Sequence, residues 1–207
     1  MNRRLFLGAA LIVALGGQAL VPHAQAAPAA PDAPPFALVK DINTTPQPNG
    51  SFYSQPLFAV IGNTILFSAI TPQTGNELWR TDGTESGTQL VKDINPGWDG
   101  ALPYYGGATF VLSNTLLFPA DDGATGMELW RSDGTAAGTM LVKDTWPGAD
   151  TGYPTSFVAS ADGRVFFTAQ ISETHYALWI TDGTPAGTTL LHSFNTINTS
   201  TCSWAAR

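Results

Sequence analysis

Short apolar runs of about five to seven residues recur through residues 57–194, each cut off by glycine, proline, asparagine or aspartate. In the first stretch four such runs read as β-strands: residues 57–61, 64–70, 77–81 and 88–94. Gly62 and Asn63 between the first two make a two-residue hairpin loop, since both tolerate the positive φ such loops need. Gly75 and Asn76 end the second connection. Asp82 and Gly83 begin the third, the aspartate accepting from backbone N–H groups and the glycine supplying left-handed geometry. Pro96 and Gly97 close the set. Four antiparallel strands of this length make up one blade of a β-propeller.

The set repeats. ELWRTDGT at 77–84 returns as ELWRSDGT at 128–135 and as ALWITDGT at 177–184, so Trp79, Trp130 and Trp179 stand 51 and 49 residues apart. Each copy is followed by a Gly-Thr pair and an apolar run. A period near fifty residues points to propeller blades or another repeat array. The expected fold is all-β, a β-propeller-type array of about three four-stranded antiparallel blades in units of about 44–94, 95–145 and 146–194. FALVKDI at 36–42 copies only the fourth strand and is an orphan N-terminal strand. A closed propeller needs at least four blades. An incomplete propeller is therefore expected, with self-association as one way to close it, and 195–207 reads as an irregular tail.

The pattern ELWxxDGTxxGTxLVKD, at 77–93 and 128–144, resembles the bacterial ELWxxDGT repeat family. The resemblance spans 36–194. It implies propeller-like blades in large exported or surface proteins, and bears on fold and location far more than on activity. Trp79, Trp130 and Trp179 are expected to pack between blades, with ligand contact the lesser alternative. Asp82, Asp133 and Asp182, with Gly83, Gly134 and Gly183, are expected to form turns rather than ligate metal. The third copy departs from the pattern with Ala177, Ile180, His192 and Ser193. This joint loss suggests that Glu77, Arg80, Lys92 and Asp93, and likewise Glu128, Arg131, Lys143 and Asp144, form a cross-strand ionic network abandoned as a whole. Decay of a terminal repeat explains it equally.

Residues 1–26 have the parts of a signal peptide: Arg3 and Arg4, an apolar stretch of about sixteen residues, and Ala24-Gln25-Ala26 as a cleavage site. That stretch is short for a membrane span. The arginine pair also resembles a twin-arginine signal, so export by the Sec or the twin-arginine route is expected, to the cell surface, the periplasm or the medium. Residues 27–35 read as a Pro/Ala-rich spacer, and nothing beyond them is long and apolar enough to span a membrane. Losing the leader removes two arginines and no acid, taking the formal charge from −7 to −9. So acidic a chain disfavours nucleic acid. Only 12% of residues are charged, with 21 glycines and 15 prolines, which suits short strands and tight turns. Cys202 is alone and supports no disulfide framework.

Candidate chemistry is sparse. His175 and His192 have no zinc spacing, and neither a nucleophile elbow nor a phosphate loop is present. No catalytic residue, metal or cofactor is assigned, and a weak calcium site at Asp121 and Asp122 is a minor alternative to a turn. The loops between units carry Trp98, Tyr104 and Tyr105, then Trp146 and Tyr153, with Phe52 and Tyr53 before the first. Equivalent loops of a repeat array fall on one face. Aromatic rings beside amides and carboxylates suit sugar stacking, while packing under their own loops is the plainer reading. The expected function is a non-enzymatic surface binding, adhesion or structural module with a protein or polysaccharide partner. A lectin-like binder using these loops is the alternative, and a glycan hydrolase or lyase the second.

Overall fold

A computed structural model describes residues 38–44, 57–104 and 107–195. The leader, the spacer, Phe52, Tyr53, Tyr105 and Cys202 lie outside them. The described chain is all-β, with twelve strands in three four-stranded antiparallel sheets, each ordered as its strands follow in sequence. The first holds β1 (Phe58–Ile61), β2 (Thr64–Thr71), β3 (Gly75–Thr81) and β4 (Gln89–Lys92). The second holds β5 (Phe110–Leu112), β6 (Thr115–Asp121), β7 (Met127–Ser132) and β8 (Met140–Lys143). The third holds β9 (Thr155–Ala159), β10 (Val165–Ser172), β11 (His175–Thr181) and β12 (Thr189–Asn195). The sheets do not join into a closed one. Residues 38–44 form no strand, so the orphan strand expected there is absent from its described part.

Register is common to all three sheets. Phe67 pairs with Trp79, Phe118 with Trp130 and Phe167 with Trp179. The last strand pair always slips by one residue just before the tryptophan. Consecutive sheets bury their apolar faces against each other. Leu66, Leu78 and Val91 of the first sheet share a core with Leu116, Phe118 and Trp130 of the second. Leu117, Leu129 and Val142 of the second share another with Val165, Phe167 and Trp179 of the third. Two of the three repeated tryptophans are thus buried between sheets. Trp79, with no sheet before it among the described residues, is half-buried.

The DGT segment is a hydrogen-bonded turn. Asp82 Oδ1 accepts from the backbone N–H and the hydroxyl of Thr84, at 2.9 and 2.6 Å, and Asp133 and Asp182 do the same with Thr135 and Thr184. These bonds hold all three carboxyls below the usual aspartate range. Gly83, Gly134 and Gly183 take φ of 89°, 85° and 86°, a region closed to most side chains. Below the turn, Gly83 N–H donates to Thr81 Oγ1, and the Thr81 and Thr88 hydroxyls meet at 2.7 Å. Thr88 also donates to Thr84 O. This ladder recurs with Ser132 and Thr139, and with Thr181 and Thr188.

The repeated charges do not form the expected ionic network, since none of the eight pairs with another. The cations instead reach across to the next sheet. Arg80 donates to Gly134 O at 3.2 Å and Arg131 to Gly183 O at 3.0 Å. Lys92 donates to Thr139 O and lies 5.6 Å from the Trp130 ring centre; Lys143 lies at the same distance from Trp179. Lys40 repeats the gesture from the N-terminal segment, donating to Thr88 O at 2.8 Å. In the third sheet Ile180 and His192 occupy the corresponding places, and no described sheet follows to receive a cation.

Candidate functional site

Antiparallel order puts the turns after β2, β6 and β10 at the same end of the sheets as the two long links, 93–109 and 144–154. These links are tied down by the glutamate that opens each of the first two repeat motifs. Glu77 is fully buried and accepts from the N–H groups of Ile94 (3.1 Å) and Asn95 (3.0 Å). Glu128, equally buried, accepts from Thr145 N–H and hydroxyl (2.7 Å each) and from Gly152 N–H (2.8 Å). Burial pushes the Glu77 carboxyl from 4.5 up to about 7, against the pull of its N–H donors, with Asp93 adding to the rise. Glu128 is raised for the same reason, with Asp144 adding to the rise. Backbone bonds complete the anchorage: Ala101 and Leu102 donate to Asn76 O, Asp121 to Ala101 O, and Tyr153 to Met127 O. Gly75 lets the first link lie this close, because a Cβ there would run into the backbone of Trp98 and Gly100.

Between the links lies a groove of about 770 Å³. Its walls carry Tyr104 and Tyr153 from different links, with Asn95, Asp99, Asp121 and Pro119 around them. Pro119 accounts for part of the opening. In the first sheet the equivalent residue, Ser68, donates its N–H to Leu57 O and accepts from Leu57 N–H through its hydroxyl, continuing the ladder beyond β1. Pro119 has no N–H to give. β5 accordingly starts only at Phe110, and the chain ahead of it borders the cavity at Gly107 and Ala108. Tyr153 is 57% exposed and sits at φ 48°, an uncommon conformation for a bulky residue and one that clusters at binding sites. Tyr104 is 41% exposed, and its hydroxyl donates to Asp99 O at 3.3 Å.

Of the loop aromatics singled out by sequence, the fold brings Tyr104 and Tyr153 into this one groove. Trp98 is 67% exposed beside it but does not line it, and Trp146 is half-buried elsewhere. Pro119 and the glutamate anchors were missed. Among the described residues, the groove walls contain no lysine, arginine or histidine. Asp121 and Asp122 form turns: Asp121 accepts from Gly123 N–H, and Asp122 from Ala124 and Thr125, which lowers the Asp122 carboxyl even against its partial burial. Among the described residues no three His, Cys, Asp or Glu side chains gather as a metal site would require. Comparison of the chain with protein-family models and with curated proteins returns no match.

Proposed function

We propose that this chain is an exported, non-enzymatic binding module of β-propeller type, kin to the ELWxxDGT repeats it resembles. On this reading it holds a hydroxyl-rich ligand, a polysaccharide at or beyond the cell envelope, in the groove between its links. The observation that carries the reading is the meeting of Tyr104 and Tyr153, from separate links, across one groove with acidic and amide side chains in its walls. Aromatic faces stack on the C–H faces of a sugar, while carboxylates and carbonyls accept from its hydroxyls. The described wall residues include no cation to neutralise a phosphate or sulfate, which favours a neutral glycan. The signal-like leader and the acidic charge accord with work outside the cytoplasm.

A protein partner is the second reading, and highly exposed Trp98 at the same end is what favours it. The enzyme reading has the least support, because the two carboxyls raised in pKa are buried beneath the links and engaged by N–H donors. A glycan array followed by calorimetry tests the proposal. Tyr104→Ala with Tyr153→Ala should weaken binding of any neutral glycan found by about tenfold or more. An array without a hit, or a hit indifferent to both substitutions, defeats it.

A further inference from the structure

The third repeat loses a glutamate and an aspartate at one place in its sheet. Ala177 and Ser193 are cross-strand partners in β11 and β12, one step beyond the pair Leu178 and His192. The same step beyond Leu78 and Lys92, and beyond Leu129 and Lys143, sets Glu77 opposite Asp93 and Glu128 opposite Asp144. Two carboxylates directly opposite repel, and more strongly where water is excluded. Glu77 and Glu128 are fully buried, and Oδ1 of Asp93 and of Asp144 is buried without a hydrogen-bond partner among the described residues. Strand length follows the pair. β4 and β8 stop at Lys92 and Lys143, where the chain leaves for the links, whereas β12, beside Ala177, runs on to Asn195.

We propose that each pair shares one proton, the glutamic acid O–H donating to the aspartate Oδ1, and that this proton positions the links walling the groove. It turns two repelling acceptors into a donor and an acceptor, and satisfies the stranded oxygen. Glu128 has the more direct hold. It accepts from Gly152 N–H at 2.8 Å, Gly152 O accepts from Gln170 N–H, and the next residue is Tyr153 at φ 48°. A Cβ at Gly152 would collide with Thr145 Oγ1 and the Glu128 carboxyl. Glu77 likewise holds Asn95, a wall residue. The raised Glu77 and Glu128 carboxyls, each with its aspartate adding to the rise, accord with a retained proton. The other charged groups on the segments packed around the pairs are engaged or exposed. Lys40 and Lys92 donate to Thr88 O and Thr139 O, and Asp121 accepts from Gly123 N–H. Arg80 and Arg131 leave from the opposite face of their strands toward the next sheet. Asp41, Asp99 and Asp150 are exposed. Once the proton is lost, a link that swings free relieves the repulsion, so Asn95 and Tyr153 loosen as pH rises. Only the consequence for binding rests on the glycan reading; an array without a hit would sink that reading and leave the pairs standing.

Carbon-detected NMR of the isotope-labelled full chain, with no glycan added, follows both carboxyls of each pair through a pH titration. Glu77 should titrate near 7 and Glu128 above 4.5, each moving its aspartate and the amide it holds, Asn95 or Gly152, at the same midpoint. Asp144→Asn should lower the proton affinity of Glu128 about tenfold or more and leave Glu77 unchanged, with Asp93→Asn doing the reverse. Amide protection at Gly152, corrected for intrinsic exchange, should fall about tenfold or more between about pH 5 and pH 8. Glu128→Gln, whose amide donates to Asp144 as the acid would, should hold it level. Glutamates that titrate at 4.5 in the parent chain, or aspartate signals blind to the glutamate step, overturn the proposal whether or not the variants fold. So does protection at Gly152 that ignores pH, or that falls equally in Glu128→Gln.

Discussion

Thr81, Ser132 and Thr181 look interchangeable with any small polar residue, yet each sits at the foot of a proton-ordered chain. A glycine N–H gives to the first hydroxyl, which gives to a second, which gives to the carbonyl of the DGT threonine. With both hydroxyl-bearing residues of each pair buried, losing one hydroxyl strands its neighbours. Thr88→Val, which keeps the shape and deletes the middle hydroxyl, should cost about 1–3 kcal/mol in urea denaturation, while Ser86→Ala on the exposed rim should cost little. The aspartate and glycine of this turn were legible in the sequence because their conformational demands are local. The role of Glu77 was not. Its partners are backbone N–H groups 17 and 18 residues along the chain, and backbone donors leave no signature in a sequence. Charge spacing drew attention to Lys92 instead, which faces the next sheet.

At the level of strands, the runs expected at 57–61, 64–70, 77–81 and 88–94 emerge as β1 to β4 with ends shifted by a few residues. Alternating burial and glycine-bearing turns made them readable. What escaped was the joint between sheets, since the acceptors of Arg80 and Lys92 are carbonyls 54 and 47 residues away. The groove was half legible: its aromatics could be named, but Pro119 drew no notice as the break that opens the wall beside them. Lys92→Met retains the aliphatic stem and removes both the bond to Thr139 O and the cation over Trp130. It should lower stability by about 1–2 kcal/mol, read as a shift in thermal midpoint. His192→Lys, which restores the repeat's residue where no described sheet follows, should gain nothing comparable.

For the molecule as a whole, two sets of carboxyls pull its stability in opposite directions with pH. Glu77, raised from 4.5 to about 7, and Glu128, also raised, bind more protons folded than unfolded, so their contribution declines as pH climbs from about 4.5 to 7. Asp82, Asp122, Asp133 and Asp182, and Asp162, which accepts from the Arg164 guanidinium at 2.6 Å, are lowered from 3.8, so theirs is lost as pH falls below that value. Thermal midpoints should peak near pH 4–5 and fall toward neutrality. Glu77→Gln with Glu128→Gln should flatten the fall above the peak and leave the acid side unchanged; an unflattened slope would mean other groups set it. The cross-sheet bonds of Arg80, Lys92 and Arg131 bear on something slower than titration. They run one way, with cation donors on one sheet and carbonyl acceptors on the next. The second unit carries both halves of this joint, so a tandem duplication of it would find a ready donor and acceptor at each new boundary with no further mutation. A copy of the third unit, with Ile180 and His192 at the donor places, would not. By this logic the array can lengthen in whole units of about fifty residues, and the middle of the chain is where growth is easiest.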